Sequence, residues 1–402
     1  MKALHRKLLT TLLIFTTVLL AACKVQAEPN QGSISNVTLT TIGSTKSYSW
    51  NYKTIDQKGA QIKCSSYLEY QAPTSSEIQT IDLIVVVCHG TIFSNDQAPS
   101  KCGASFGSDE ITSKNILIIA PDYIGYGTSV SKEHPYMVAD INARTIIDAI
   151  LSAINNASTF GFSLAEGYQT ILCGYSQGGQ TSLATLRAIQ ADLSSEQADL
   201  INVKKCYSGA GPHDLEATMD VFLGDWGNKA ISPLIYLVVK GMLSADYDCL
   251  KGYSLSNFMT TDFLNSNLRQ KIDAKNITIG DITSSYILGY EYMGFMDVAN
   301  LLTAEALDSE SQVHKALREA LKENNLSSGW TVTTDLFLFH HKDDDMVPYV
   351  NFTKDMEGIG TAPCVTGYTD EDSFTSTPLA GDFVHGKAAA NFYGFVIQEL
   401  NQ

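Results

Sequence analysis

The chain has 402 residues, of which 44% are hydrophobic and 17% are charged, and its formal net charge is −16. This composition provides an ample core for one large domain with an insertion or for two domains. The acidic balance argues against nucleic acid as a partner.

The N-terminus has the pattern of an export signal. Basic residues, among them Lys2 and Arg6, precede an apolar run that is too short to be a comfortable membrane span. We therefore expect residues 1–22 to be a signal peptide and residues 23–35 to be a polar tether.

The end of this segment allows two processing routes. The sequence Leu-Ala-Ala-Cys at residues 20–23 looks like a bacterial lipobox, which implies cleavage before Cys23 and acylation of its thiol. Cleavage by an ordinary signal peptidase after Ala27 also fits the small-residue rule. The first route predicts a lipoprotein of the cell envelope that can attach to a membrane through Cys23, and the second predicts a soluble secreted or periplasmic protein.

Aliphatic runs that alternate with helical periodicity predict a mostly parallel sheet with helices on both faces. Residues 36–42 and 48–70 alternate between polar and apolar side chains, which favours an antiparallel ribbon at the edge. Near-continuous aliphatic runs, typical of strands buried on both faces, follow. These predicted strands cover residues 81–87, 115–120, 170–173 and 202–207, and predicted helices cover residues 137–154 and 180–190.

About 115 residues then interrupt the alternation. Residues 215–330 are mostly helical in pattern and rich in aromatic side chains, and they include an apolar stretch at residues 231–243. We interpret residues 215–330 as a helical cap inserted into a core formed by residues 36–214 and 331–402. The second core part contains strands at 335–339 and 363–368, a helix at 349–356, a loop at 381–386 and a closing helix at 387–400.

The Gly-Tyr-Ser-Gln-Gly sequence at residues 174–178 has the features of a nucleophile elbow. Such an elbow holds a serine on a strained turn between a strand and a helix, and the turn leaves no room for side chains at Gly174 and Gly178. Free N–H groups at the N-terminus of the following helix can bind an oxyanion. Ser176 is therefore the candidate nucleophile.

A serine hydroxyl needs a neighbouring base, and the base needs an acid that orients it. In a sheet of this kind the order along the chain is serine, acid, histidine, each in a loop after a strand. Three aspartates at residues 343–345 follow the strand at 335–339. His385 is the only histidine after the last predicted strand.

These motifs make residues 36–214 and 331–402 resemble the α/β-hydrolase superfamily, specifically its secreted esterases and lipases. The resemblance implies that Asp344 is the catalytic acid, because similar enzymes have His-Gly-x-x-Asp-x-x-Val-Pro there. His341 stands where glycine is usual, so Asp343 and Asp345 remain alternatives. The likeness of the sequence His-Gly-Thr at 89–91 to the family's oxyanion loop implies that the N–H groups of Thr91 and Gln177 bind the oxyanion, with Gly90 as the other possibility.

The prediction is an exported serine hydrolase of α/β-hydrolase fold that cleaves small-molecule or lipid carboxylic esters through Ser176, His385 and Asp344. The mechanism requires no cofactor. His340, His341 and the aspartates are weak candidates for a metal site, since adjacent residues at a strand end point in opposite directions. Alternatives are a serine peptidase or an acyltransferase of the same fold, and a binding module without catalysis.

Seven cysteines besides Cys23 leave at least one thiol unpaired in an exported chain. Cys88, Cys173 and Cys206 end apolar runs and are expected to be buried thiols. The better disulfide candidates are Cys64, Cys102, Cys249 and Cys364.

Overall fold

A twisted sheet with helices on both faces organises the protein. The structure is a computed structural model, and it describes residues 32–73, 77–107, 109–111, 115–224, 233–282, 295, 297–374 and 383–402. Within these ranges nine strands form one sheet in the order β1-β2-β3-β5-β4-β6-β7-β8-β9. The strands are β1 Ile34–Ile42, β2 Thr45–Ile55, β3 Gln61–Gln71, β4 Gln79–Cys88, β5 Ile116–Pro121, β6 Phe162–Tyr175, β7 Val203–Gly209, β8 Asp335–His341 and β9 Val365–Asp370.

The helices of the described residues lie between and after these strands. They are α1 Pro99–Cys102, α2 Ala139–Asn155, α3 Gln177–Ala191, α4 Ser195–Ile201, α5 Leu215–Leu223, α6 Pro233–Ser244, α7 Leu255–Phe258, α8 Thr261–Leu264, α9 Asn267–Asp273, α10 Val298–Leu301, α11 Ala304–Leu307, α12 Gln312–Lys322, α13 Val350–Glu357 and α14 Val384–Leu400. Every helix of the described ranges is too short or too polar to cross a membrane.

The first three strands form the predicted antiparallel ribbon, and β3 pairs antiparallel with β5. From β5 onwards the pairs are parallel. Strand β4 shows why its aliphatic run is continuous. Ile84 and Val86 pack with α2 and α3 on one face, whereas Val85 and Val87 pack with α14 on the other. Both sets are buried, so each face of the strand needs apolar side chains.

The segment between β7 and β8 consists of short helices. Several of them begin at a serine, threonine or aspartate whose side chain accepts a backbone N–H, which supplies about 1 kcal/mol per helix start. These residues are Asp214, Thr260, Ser266, Asp297, Thr303 and Ser311. The helices bury a cluster of their own, which also includes Tyr136 and Met137 from the loop before α2. The division into core and cap at residues 215 and 330 stays a prediction.

Strands β7 and β8 are neighbours in the sheet although this whole segment separates them along the chain. They pair in parallel, with Lys205 opposite Asp335 and Gly209 opposite Phe339. The pairing brings the loop after β8 close to the end of β6, because β6 is the other neighbour of β7.

Two expectations from the sequence are wrong. His385 and Gly386 lie in the first turn of α14 and not in a loop, since the helix begins at Val384. Cys64, Cys102, Cys249 and Cys364 are all free thiols, as are the other cysteines of the described residues. The signal peptide, Cys23 and most of the tether lie outside the described residues.

Candidate active site

Ser176 occupies a strained turn between β6 and α3. Its backbone has φ 61° and ψ −125°, a left-handed conformation that costs a non-glycine residue about 1–3 kcal/mol. A Cβ atom at Gly174 would collide with the carbonyl oxygen of Gly178, and one at Gly178 would collide with that of Cys88. The two glycines therefore permit the close packing of strand, turn and helix that keeps Ser176 partly exposed among buried neighbours.

The carboxylate of Asp344 faces the imidazole of His385 across the loop after β8. Its Oδ2 accepts a hydrogen bond from His385 Nδ1 at 2.7 Å, and its Oδ1 accepts the backbone N–H groups of Met346 and Val347 at 2.9 and 2.8 Å. Burial alone would raise the pKa of this carboxyl. The charge and hydrogen bond of His385 outweigh burial and hold the pKa of Asp344 below its usual value.

The neighbouring aspartates have different surroundings. Asp343 is exposed to solvent. Asp345 accepts the backbone N–H of His385 at 3.2 Å, and burial raises the pKa of its carboxyl. Of the three aspartates, only Asp344 hydrogen-bonds the imidazole ring of His385 in the described structure.

The other nitrogen of His385, Nε2, belongs to a ring that packs next to the elbow. The imidazole lies beside the ring of Tyr175, the residue before Ser176, with ring centroids 4.8 Å apart. His385 Nε2 is buried and has no hydrogen-bond partner among the described residues, Ser176 included. A catalytic hydrogen bond is often absent or long before substrate binds, so the geometry is compatible with a base awaiting its proton donor.

The backbones of Gln177 and Gly90 both lie close to Ser176. Gln177 is the first residue of α3, where N–H groups have no partner within the helix. The Gly90 backbone also approaches, because a Cβ atom built there would lie 3.9 Å from the Cβ of Ser176. Thr91 follows, and its hydroxyl forms a 2.7 Å hydrogen bond with that of Tyr136.

An apolar cavity begins at Ser176. Its volume is about 50 Å³, and its walls include Ser176, Tyr136 and Met346. A second cavity of about 60 Å³ lies among the helices α5, α6 and α12. The two cavities share the lining residues Leu215, Thr218, Phe222 and Val238.

Two side-chain groups were not found from the sequence. Ser208, His213 and Asp355 form a second serine–histidine–aspartate row, with 2.9 Å from Ser208 Oγ to His213 Nε2 and 2.5 Å from His213 Nδ1 to Asp355. All three are at most 2% exposed, so no substrate can reach Ser208. The second group is His134 with Gln177, whose side chains meet at 2.7 Å.

The paired histidines at the end of β8 point in opposite directions, as their adjacency on a strand predicts. His340 Nε2 bonds to the carbonyl of Val347 at 3.0 Å, and His341 Nε2 bonds to that of Asp372 at 2.8 Å. In the described part of the chain, no group of three potential ligand side chains is arranged to hold a metal ion.

A mostly parallel sheet with a serine elbow after one strand, and an acid and a histidine after later strands, defines the α/β-hydrolase fold. The sequence model of the secretory lipase family matches residues 111–361, which is more than half of the chain. The chain therefore belongs to the secretory lipase family. Membership in this family supports two statements about the chain: it hydrolyses carboxylic esters, and it is exported. A search of curated proteins returns no match.

Solved structures show the same fold at low sequence identity. The rice cell wall degrading esterase LipA from Xanthomonas oryzae is similar with a TM-score of 0.73 and 18% identity, over 93% of this chain and 98% of that one. Lipase A from Candida antarctica in its closed state is similar with a TM-score of 0.60 and 14% identity, over 85% and 77% of the two chains.

Proposed function

We propose that the protein is an exported serine hydrolase that cleaves carboxylic esters through Ser176, His385 and Asp344. Ser176 Oγ forms a bond to the acyl carbon while its proton passes to His385 Nε2. That proton then goes to the leaving alcohol as the ester C–O bond breaks, which leaves an acyl-enzyme. Water then attacks the acyl carbon while its proton passes to His385. That proton returns to Ser176 Oγ as the acyl-enzyme bond breaks, which releases the carboxylic acid.

One observation carries this proposal. His385 Nδ1 is bound to a buried, ionised carboxylate, and its Nε2 is buried without a partner in the described structure beside the elbow that holds Ser176. A structural histidine would satisfy both nitrogens when buried. An unpaired Nε2 with an oriented ring is what a general base requires.

The negative charge of the tetrahedral intermediate needs donors that are already in place. We assign them to the backbone N–H groups of Gln177 and Thr91, with Gly90 as the alternative to Thr91. The first-turn position of Gln177 and the approach of the Gly90 backbone to Ser176 support this assignment.

The two adjacent cavities support esters with medium or long acyl chains as substrates. The second cavity is lined by apolar side chains, apart from Thr218, and it shares four lining residues with the cavity that contains Ser176. Each methylene that enters such a cavity contributes about 0.8 kcal/mol. The enzyme should therefore prefer butyrate and octanoate esters over acetate esters.

The decisive test compares two serines. Ser176→Ala should reduce hydrolysis of p-nitrophenyl butyrate by roughly 10⁴- to 10⁶-fold, since members of a triad act as a unit. Ser208→Ala is the matched control, because it removes the hydroxyl of the buried second row and should leave kcat within tenfold of wild type. A fluorophosphonate should label wild type and Ser208→Ala but not Ser176→Ala. A Ser176→Ala protein that keeps a tenth of wild-type activity would refute the assignment.

The localisation of the mature protein depends on how the chain is processed at Cys23. We propose that Cys23 is acylated and anchors the enzyme to the cell envelope, as two acyl chains suffice for stable attachment. In a bacterial host, Cys23→Ser should then move the protein from the membrane fraction to the soluble fraction. A soluble wild-type protein with Glu28 as its N-terminus by mass spectrometry would instead establish ordinary signal-peptide cleavage.

A further inference from the structure

The loop between β5 and α2 touches both residues to which we assign the oxyanion donors. Tyr136 bonds through its hydroxyl to the hydroxyl of Thr91 at 2.7 Å. His134, two residues earlier, bonds through Nε2 to the side-chain amide of Gln177 at 2.7 Å. One short segment thus holds the side chains of both Thr91 and Gln177.

The protonation state of His134 determines which side chain donates in its hydrogen bond with Gln177. His134 Nδ1 donates to the carbonyl of Ile124 at 2.7 Å. Burial lowers the pKa of His134 to about 3, so the ring is neutral in the working range of pH. Nε2 is therefore an acceptor, and the amide N–H of Gln177 donates to it. This bond fixes the rotamer of Gln177, which is 1% exposed and cannot exchange the partner for water.

The segment that makes these contacts is itself firmly seated. A Cβ atom at Gly125 would lie 2.8 Å from the Cα of His134, so the two backbones are in direct contact. Gly241 in α6 packs against the backbone of Tyr136 so closely that a Cβ atom there would collide with it. Met137 has φ 61°, a strained conformation that such packing must maintain.

We propose that His134 and Tyr136 are positioning residues that hold the oxyanion donors at Gln177 and Thr91 in place, and that α6 seats Tyr136 through Gly241. The inference rests on the proposed function, because it concerns the same oxyanion. Donors act best when they lie about 2.7–3.1 Å from the developing charge before the reaction begins. A side chain that is fixed by a buried hydrogen bond limits the movement of its own backbone N–H.

The test removes single hydroxyl groups and measures the response of the transition state. Tyr136→Phe should lower kcat about ten- to hundredfold with KM within about twofold, since the loss is confined to the charged intermediate. An alkyl trifluoromethyl ketone forms a tetrahedral oxyanion on the serine, so Tyr136→Phe should lower the affinity for this inhibitor by the same factor. Tyr52→Phe is the matched control: Tyr52 is equally buried and donates to the carbonyl of Thr145, away from the site.

Four further variants guard against misfolding as the cause. Thr91→Val removes the other half of the hydroxyl pair, and the double variant with Tyr136→Phe should be no slower than the slower single variant. His134→Gln retains an acceptor for Gln177 and should keep several times more activity than His134→Leu. Each rate is divided by the concentration of active sites, which is measured by titration with a fluorophosphonate.

The inference is overturned if Tyr136→Phe keeps kcat within twofold of wild type. It is also overturned if kcat and ketone affinity do not fall together, or if Tyr52→Phe loses as much activity. In each of these results the wild type still hydrolyses esters and reacts with the fluorophosphonate. A wild-type protein that does neither would refute the proposed function, and this inference with it.

Discussion

At the scale of single residues, burial and hydrogen bonding separate side chains that the sequence cannot rank. The three aspartates after β8 are identical in type and consecutive. Only the position of the strand end relative to α14 decides which one meets His385. Because Asp344 accepts three hydrogen bonds and has no exposed side-chain surface, a neutral amide in its place would leave donors facing donors.

We therefore expect Asp344→Asn to reduce kcat by about 10⁴-fold, through the wrong imidazole tautomer. Asp345→Asn should cost far less, as the Asp345 carboxylate accepts the backbone N–H of His385 and does not orient the imidazole ring. Asp343→Asn should be neutral, as Asp343 is exposed. The three purified variants are compared on p-nitrophenyl butyrate at one pH. The assignment fails if Asp343→Asn or Asp345→Asn is the slowest of the three.

The candidate site was predictable only where the chain gives local signals. Ser176 stands between two glycines that the turn requires, and the acid and histidine follow it in a fixed order. His213 and Asp355 are 142 residues apart, and no spacing rule connects them. The same holds for His134 and Gln177, 43 residues apart, because their contact depends on where the loop before α2 meets the start of α3.

At the scale of elements, α6 shows how one helix divides its faces. Leu234 and Val238 line the cavities, whereas Leu237 is buried in the interior of the helical segment. The apolar stretch that the sequence shows on more than one face therefore has two destinations. This arrangement makes a pocket variant and a packing variant available on the same helix.

Val238→Trp should reduce the space in both cavities, because Val238 lines each of them. We expect kcat/KM for p-nitrophenyl octanoate to fall by about ten- to hundredfold, which corresponds to two to four methylenes kept out of the cavity. The kcat/KM for p-nitrophenyl acetate should change less than threefold.

Leu237→Ala is the comparison for this variant. It should lower the melting temperature and affect both esters equally, because it creates a cavity in the packing of the helical segment. Equal losses on acetate and octanoate for Val238→Trp would place the acyl site elsewhere.

Strands β4 and β5 were predicted well because most of their residues are apolar and buried on both faces. The ends of strands were less predictable. The strand expected at residues 170–173 extends over Phe162–Tyr175, since its first half is half-exposed and polar. The loop expected at 381–386 was wrong for residues 384–386, where Gly386 usually signals a turn. In the first helical turn a glycine is tolerated at a cost of about 1 kcal/mol.

At the scale of the whole molecule, buried histidines link stability to acidity. Burial lowers the pKa of His340 to about 4 and that of His134 to about 3. An unfolded histidine titrates near 6.5, so below that pH the unfolded chain binds protons that the folded chain refuses. Stability contributed by the neutral rings is complete above about pH 6.5 and is lost as the pH falls toward 4.

Urea unfolding between pH 7 and 5 should therefore show a steep loss of unfolding free energy. Each of these histidines contributes about 1.4 kcal/mol per pH unit below its unfolded pKa. His340→Gln retains a donor for the carbonyl of Val347. It should reduce the slope of unfolding free energy against pH by the contribution of one histidine. A free energy of unfolding that stays constant from pH 7 to 5 would contradict the prediction.

The pairing of β7 with β8 determines when the protein can acquire its site during synthesis. The edge of β7 is complete once residue 209 has been made, but its partner begins about 125 residues later. At about 5–20 residues per second, a ribosome needs on the order of ten seconds to supply it. Throughout that interval an apolar sheet has an open edge, which is a template for aggregation. Synthesis rate and chaperone supply should therefore limit the yield of active enzyme more than the stability of the finished fold.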